Sequence, residues 1–355
     1  MKLSDLKNKK IAILGFGIEN SALVEFLLSK KINCDITICD NRNKKELGDR
    51  LTVKTQNLAS LRWRLGKNYD KNLKDFDIVF RVAGYPLFSS EIKKAVKSGT
   101  IISSPTRLFF DICPSKIIGV TGTNGKGTTS SIIYHILKKS GKGAYLGGNI
   151  GNPMFGFLGK LKKNDWAVLE LSSFQLEDLD KSPRIAVITN FTQDHLAPAN
   201  PVNPNYHKSM KDYWDAKMNI VKWQKRGDAA IINSKIARFK DLKIQRLKDL
   251  GEVVYFAKSD LSSKLAGEHN KENIAAAVEV ARLVGVKKDV IEKAVKSFKS
   301  LEHRLELVGK IKIPPTPFIK RAIIFSTPLQ KGGWGVKGAG GTLNAPLIKG
   351  VGGLF

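Results

Sequence analysis

Short apolar runs rich in β-branched residues alternate along this chain with stretches in which apolar side chains recur every three or four positions. That alternation predicts parallel strands joined by crossover helices. Residues 11–14 form the first run, which enters Gly15-Phe16-Gly17, and an apolar periodic stretch over 22–28 follows, giving strand, turn and helix. A second strand is predicted over 36–39, ending at Asp40, and a third over 78–82, ending at Ala83-Gly84-Tyr85-Pro86. A new unit begins near Pro114, where a buried strand over 116–120 runs into Thr121-Gly122-Thr123-Asn124-Gly125-Lys126-Gly127-Thr128-Thr129 and a helix is predicted over 128–139. Further strands are read at 166–171, 185–189, 229–232 and 253–256, with helices at 208–223, 270–284 and 288–298. The pattern is α/β throughout, and it divides the chain into units 1–113 and 114–300 followed by a segment 301–355. That last segment differs: no Asp or Glu follows Glu306, and 331–355 is rich in Gly with no strand or helix period, so it reads as poorly ordered.

A length of 355 residues allows two or three such units, and a 42% hydrophobic composition suits a soluble globular protein. The formal net charge of +28 raises the question of a polyanionic partner. The lysines are spread along the whole chain, without interleaved aromatics or a single basic stripe, so a solvated surface is expected and no nucleic-acid face. Cys34, Cys39 and Cys113 are odd in number and lack metal-ligand spacing, which predicts neither disulfides nor zinc and fits a reducing cytoplasm. The apolar run at 11–16 is too short for a signal-peptide core or a membrane span, so no membrane association is expected.

The strongest chemical signal is the glycine-rich turn between the strand at 116–120 and the helix after it. Backbone N–H groups of such a turn, with the helix N-terminus, cradle phosphate oxygens, and Lys126 supplies a point charge for the β and γ phosphates. The strict phosphate-loop pattern wants Ser or Thr directly after the lysine; here Gly127 stands there and Thr128 follows. Glu170 ends one predicted strand and His195 follows another, so both project at the carboxyl edge of the sheet, where a carboxylate and an imidazole can hold Mg²⁺ against a phosphate. Lys217 shares its helical stripe with Tyr213, Trp214, Ile220 and Val221, so it faces the apolar side, where burial favours the neutral amine. Near the N-terminus, Gly15-x-Gly17-x-x-Asn20 and Asp40 form an imperfect dinucleotide fingerprint lacking its third glycine, a geometry that serves any nucleotide diphosphate. An NAD-dependent oxidoreductase would use Gly15 to Asp40 but would leave Lys126, Glu170 and His195 without a task.

The nucleotide loop resembles that of the Mur and folylpolyglutamate ligases, Gly-Thr-Asn-Gly-Lys followed by Ser, Thr or Gly. Three further segments match in order: Leu169-Glu170-Leu171-Ser172-Ser173-Phe174-Gln175-Leu176, Thr189-Asn190-Phe191-Thr192-Gln193-Asp194-His195-Leu196 and Gly267-Glu268-His269-Asn270-Lys271-Glu272-Asn273. Gly127 favours the folylpolyglutamate branch; the full N-terminal unit and Ser172-Ser173-Phe174-Gln175 favour the Mur ligase family, and within it the D-glutamate-adding branch.

That resemblance implies a Rossmann-like N-terminal domain for a UDP-sugar, a central P-loop ATPase-like domain and a third α/β domain for the incoming amino acid. It implies ATP and two Mg²⁺ ions as cofactors, UDP-N-acetylmuramoyl-L-alanine and D-glutamate as substrates, and a monomer. ATP is then expected at Gly122, Thr123, Asn124, Gly125, Lys126, Gly127, Thr128 and Thr129, with Asn270 and Asn273 near adenine and Arg304 at the hinge. Thr128, Glu170, His195 and a carbamylated Lys217 are expected at the metals. Gly17, Asn20, Ser21, Asp40, Gly84 and Asn149 are expected at the UDP-substrate, with Lys126, Asn149, Glu170, His195 and Lys217 catalytic. The family's Ser-Pro-Gly turn appears as Val82-Ala83-Gly84. The fifty or so residues after the hinge are few for a third domain, so that domain is expected to be largely missing, with ligation weakened more than binding or the chain reduced to an inactive nucleotide-binding remnant. The Pro- and Asn-rich stretch 197–205 is expected to be a mobile surface loop.

Overall fold

The computed structural model describes residues 1–47, 61–197, 204–236, 251–299, 306–311 and 322–326. The first sheet contains β1 (Lys10–Leu14), β2 (Asp35–Asp40), β3 (Arg62–Leu65), β4 (Ile78–Arg81) and β5 (Ile101–Ser103). Their order is β3-β2-β1-β4-β5, with every pairing parallel. The chain reaches β1 with only Lys10 exposed, because a central parallel strand is covered on both faces. Helices α1 (Ile18–Ser29), α2 (Lys44–Leu47), α3 (Ser90–Lys97) and α4 (Pro105–Ile112) connect and cover the strands. Ser89 and Ser104 accept N–H groups of Ile92 and Arg107 at the starts of α3 and α4, and Pro105 takes the first position of α4. The strand order reverses beside β1, which places the ligand crevice of such a sheet outside the carboxyl ends of β1 and β4.

The second sheet contains β6 (Lys116–Thr121), β7 (Ala144–Gly148), β8 (Trp166–Glu170), β9 (Ile185–Ile188), β10 (Asp228–Asn233) and β11 (Gly251–Phe256), in the parallel order β11-β10-β9-β6-β8-β7. Helices α5 (Lys126–Lys139), α9 (His269–Leu283) and α10 (Lys288–Ser297) pack together, and Ile132, Ile136, Val280, Ile291 and Val295 form one core with Ile118, Val168 and Val187. Helix α8 (Met210–Lys222) and the single turns α6 (Phe155–Leu158) and α7 (Ser173–Leu176) contribute instead to a second core, which runs without a break from Leu27 and Phe109 of the first domain to Leu169 and Ile188 of the second. Phe155 lies at that seam, its ring centroid 5.2 Å from Phe26 and 6.1 Å from Phe109. Each buried aromatic of this kind contributes roughly 2–3 kcal/mol.

Two strands, β12 (Glu306–Ile311) and β13 (Ala322–Ser326), pair antiparallel. Arg304, the whole of 331–355 and most of the 197–205 loop lie outside the described residues. Beyond the elements read from the sequence there are β3, β5, β7, β12, β13, α3, α4 and the single turns α2, α6 and α7. The first of these has the sequence Arg-Trp-Arg-Leu, a polar–apolar alternation of only four residues with no continuous apolar run, and β5 has three residues. No described helix is long and apolar enough to cross a membrane.

Candidate active site

The loop after β6 turns through Gly122 (φ 152°) and Gly125 (φ 78°) before α5 begins at Lys126. A β-carbon at Gly122 would lie 1.9 Å from Thr189 Oγ1, and one at Gly125 would lie 2.2 Å from Asn273 Oδ1. Glycine is therefore required at both. The N–H groups of Thr123 and Asn124 both donate to Asn190 Oδ1 (3.0 and 2.8 Å), and Asn190 Nδ2 and Thr189 Oγ1 donate to the Asn124 carbonyl (2.9 and 2.6 Å). The loop is thus tied to the end of β9, and the N-terminus of α5, the end of a helix whose N–H groups can donate to a phosphate, follows it directly. Lys126 Nζ donates to the Thr123 carbonyl at 2.8 Å, arched over the loop where phosphates would lie. Gly127 is buried and Thr128 half-buried in the first turn of α5. Behind the loop, Thr129 Oγ1 donates to Asn273 Oδ1 (3.3 Å) and Asn273 Nδ2 donates to Asn270 Oδ1 (2.9 Å), so both asparagines buttress the junction of α5 with α9.

Glu170 ends β8 and is buried, with Oε1 accepting from Asn149 Nδ2 at 3.2 Å. Asn149 also donates its N–H to the Glu170 carbonyl (2.9 Å), so the two come together as a unit. Gly148, at φ 90°, permits this approach: a β-carbon there would sit 2.3 Å from that carbonyl. His195 occupies the left-handed region (φ 57°), its N–H on Asp194 Oδ1 (2.8 Å) and its ring between Phe174 and Tyr213. Burial lowers its pKa against the pull of Asp194, and Lys217 and Lys126 lower it further, which favours the neutral, ligating ring.

Lys217, on α8, is 2% exposed, donates to the Gly122 carbonyl at 2.7 Å and lies 4.7 Å from the Tyr213 ring centre. Burial, reinforced by Lys126, brings its pKa down to about 7. Tyr213 in turn shares a hydrogen bond with Thr123 Oγ1 (3.2 Å), which ties α8 to the phosphate loop. His207 has no counterpart in the sequence reading. Its ring stacks on Phe174 at 4.6 Å, its Nε2 pairs with Ser173 Oγ at 2.9 Å and its N–H donates to the His195 carbonyl.

The N-terminal domain faces these groups across a cavity of about 550 Å³. Gly17, Asp40, Arg42, Arg81 and Gly84 line one side, with Lys126, Asn149, His195 and Lys217 on the other. Asp40 Oδ2 accepts the Phe16 N–H (2.6 Å) and both its oxygens accept from the Arg42 guanidinium (2.8 and 2.7 Å). Burial alone would raise the Asp40 carboxyl; the hydrogen bonds from Arg42 and Phe16 hold it below the usual carboxylate range. Asn20 is placed differently from its neighbours. It is fully buried, and its Nδ2 donates to the carbonyls of Gly15, Leu14 and Phe80 (2.7, 3.3 and 3.4 Å), which locks the turn; neither it nor Ser21 lines the cavity. Arg42 and Arg81 do line it and were not singled out. A guanidinium ending the otherwise apolar run Ile78-Val79-Phe80 was the available signal for Arg81.

A glycine-rich loop of the phosphate-binding type on one parallel sheet thus faces the switch-point crevice of a second parallel sheet across a shared cavity. Residues 120–261 match the Mur ligase middle domain. The chain is 36% identical over 344 residues to the UDP-N-acetylmuramoylalanine–D-glutamate ligase of Acetivibrio thermocellus, covering 87% of this chain and 70% of that relative. It is 36% identical over 330 residues to the ligase of the same name from Clostridium acetobutylicum, covering 86% and 68%. Among solved structures, the UDP-N-acetylmuramate:L-alanyl-gamma-D-glutamyl-meso-diaminopimelate ligase from Neisseria meningitides shares the fold, with a TM-score of 0.55 at 16% identity over 83% of this chain and 99% of that one. A murein peptide ligase from Psychrobacter arcticus does so with a TM-score of 0.52 at 16% identity, over 85% and 71%. The chain belongs to the Mur ligase family. Within it, the sequence similarity is to the UDP-N-acetylmuramoylalanine–D-glutamate ligases.

Proposed function

We propose that this protein uses ATP to join D-glutamate to the L-alanyl carboxylate of UDP-N-acetylmuramoyl-L-alanine, a step of peptidoglycan precursor synthesis, as a cytoplasmic monomer. The observation that carries this reading is the cavity that Lys126 of the phosphate loop lines together with the N-terminal crevice. The substrate carboxylate attacks the γ-phosphorus of ATP, ADP leaves, and an acyl phosphate forms. The amine of D-glutamate then attacks the acyl carbon, loses a proton, and inorganic phosphate departs. Such chemistry needs alignment and charge neutralisation more than a covalent nucleophile. Lys126 would leave the Thr123 carbonyl to meet the phosphates, while the Asn149 amide orients a carboxylate beside Glu170. Gly17, Asp40 and Gly84 would hold the nucleotide-sugar with Arg42, and Asn270, Asn273 and Arg304 would lie toward the nucleoside of ATP.

Mur ligases use Mg²⁺, and the donor set fits it. No group of three or more His, Cys, Asp or Glu side chains suited to a metal occurs among the described residues. A hard cation that keeps its waters and binds one or two carboxylates plus phosphate oxygens needs no such cage. Glu170, His195 and Thr128 are the residues that would hold it, and it would supply charge neutralisation at the transferred phosphoryl group. For a second ion we propose that Lys217 is carbamylated: its neutral amine attacks CO₂, an N–C bond forms and a proton leaves, converting a buried amine into an anion. Incubation with ¹³C-bicarbonate should give a carbamate resonance that a Lys217→Arg variant lacks; its absence from the wild type would overturn this part.

Calorimetric titration with UDP-N-acetylmuramoyl-L-alanine, and with a non-hydrolysable ATP analogue plus Mg²⁺, tests the whole reading, followed by D-glutamate-dependent phosphate release. Both ligands should bind. Binding of neither would overturn the assignment.

A further inference from the structure

Arg81 ends β4 and is completely buried, although it is a permanent cation. A charge in that position costs several kcal/mol unless its hydrogen-bonding groups are met. Its Nη1 donates to the Tyr85 carbonyl at 2.6 Å and lies 3.4 and 3.5 Å from the carbonyls of Ala83 and Val82. Its Nη2 donates to the Phe174 carbonyl and to Asp178 Oδ2, both at 3.3 Å. One planar group therefore grips two domains: the turn 82–85, which carries Gly84 into the cavity, and the α7 segment of the central sheet.

Each segment also has tethers within reach of its own domain: the Tyr85 hydroxyl donates to Asp70 Oδ2 (2.8 Å), and Asn219 Nδ2 donates to the carbonyls of Leu176 and Glu177 (2.9 and 3.2 Å), but neither of these joins the turn to α7. The turn contains no proline before Pro86, and its one internal backbone bond is from the Tyr85 N–H to the Val82 carbonyl (3.0 Å). Asn205 supports it from outside, with Nδ2 on the Ala83 carbonyl (2.8 Å) and its N–H on the Gly84 carbonyl (3.1 Å). On the far side, α7 starts three residues after Glu170, and the Phe174 ring packs against both His207 and His195. Ser104, capping α4, donates to the other oxygen of Asp178 at 3.4 Å, so the carboxylate that pairs with Arg81 is itself shared between the domains.

We propose that Arg81 is a positioning residue that sets the nucleotide-sugar turn in register with the phosphate-transfer residues of the central domain. This rests on the substrate reading above. A lysine at 81 would keep the charge but could not fork to two segments. Arg81→Lys should therefore weaken UDP-N-acetylmuramoyl-L-alanine binding about tenfold, the equivalent of one charge-assisted hydrogen bond, while the Kd of the ATP analogue moves by less than about twofold. Asp178→Asn, which leaves Arg81 its carbonyl partners, should give a smaller loss confined to the same ligand. Backbone amide exchange at 82–85 should accelerate in both variants without ligand. The wild-type titration separates two kinds of failure. A wild type that does not bind the nucleotide-sugar overturns the substrate reading and this inference with it. A wild type that binds, with Arg81→Lys leaving that Kd unmoved or weakening both ligands equally, overturns this inference alone and makes Arg81 a fold-holding ion pair.

Discussion

The turn after β1 and the loop after β6 both carry a parallel strand through glycines into a helix, but they use their polar side chains differently. In the loop after β6, most of the side chains that tie the backbone down come from elsewhere: Asn190 and Thr189 follow β9 and Lys217 comes from α8, with Lys126 on the Thr123 carbonyl as the loop's own contribution. Lys126, the first residue of α5, faces the cavity. In the turn after β1 the motif residues hold themselves. Asn20 spends its amide on three carbonyls, and Asp40 spends its carboxylate on Phe16 and Arg42. The cavity-facing polar groups there are then Arg42 and the segment around Gly84. A fingerprint read from spacing identifies the turn in both cases; which of its polar groups face the cavity depends on what holds the turn.

The largest effect that would sharpen this contrast is expected from Lys126→Met. Loss of the Lys126 ammonium over the loop should weaken ATP-analogue binding and lower phosphate release by about a hundredfold or more, leaving nucleotide-sugar affinity unchanged. Parallel losses of both ligands would mean that the two sheet ends do not act separately. Next come the glycines. Gly125→Ala and Gly15→Ala each place a β-carbon at positive φ (78° and 81°), 2.2 Å from Asn273 Oδ1 and 2.4 Å from Val82 Cγ1. Each should cost about 1–3 kcal/mol by thermal or urea unfolding, the former with selective loss of the ATP analogue and the latter of the nucleotide-sugar. Equal loss of both ligands in either variant would count against the division.

Asp40→Asn should have a smaller effect. An amide cannot accept from Phe16 and Arg42 through both of its ends, so Arg42 should lose its bidentate hold and the nucleotide-sugar should bind about tenfold more weakly. An unchanged Kd would show that Arg42 needs no partner.

What was legible follows the same line. The strands of both sheets that carry long apolar runs were visible, because burial on both faces demands such runs. The edge strand β3 was hidden by its arginines, and β5 by its three-residue length. Lys126, Glu170, His195 and Lys217 could be assembled because strand ends and helix stripes determine where they project. Arg81 and His207 could not. The first looks like the end of a strand, and the second follows a Pro- and Asn-rich stretch; only the packing of one domain on the other brings Arg81 against Phe174, and only the fold of the central domain brings His207 against Ser173.

The smallest expected effect concerns His207, and it tests whether the aromatic packing under His195 is held by a neutral ring. Burial, helped by the nearby His195 and Lys217, lowers the His207 pKa from 6.5 to about 4. Between those values the unfolded chain binds a proton that the folded one refuses, so folding stability falls as pH drops through that window and is fully present above it. Glu19 opposes this: burial raises its carboxyl to about 7, so its contribution grows as pH falls from 7 to 4.5. The two are separable by difference. His207→Gln keeps a side chain able to pair with Ser173 Oγ but carries no titrating ring, and Glu19 is present in both proteins. The melting temperature of the wild type should therefore fall more steeply than that of His207→Gln between pH 6.5 and 4, while the variant is the less stable protein at pH 7 because it loses the stack on Phe174. Parallel curves would mean that His207 accepts a proton in the folded state without penalty, and that Phe174 and His195 are held in place by something other than its neutral ring.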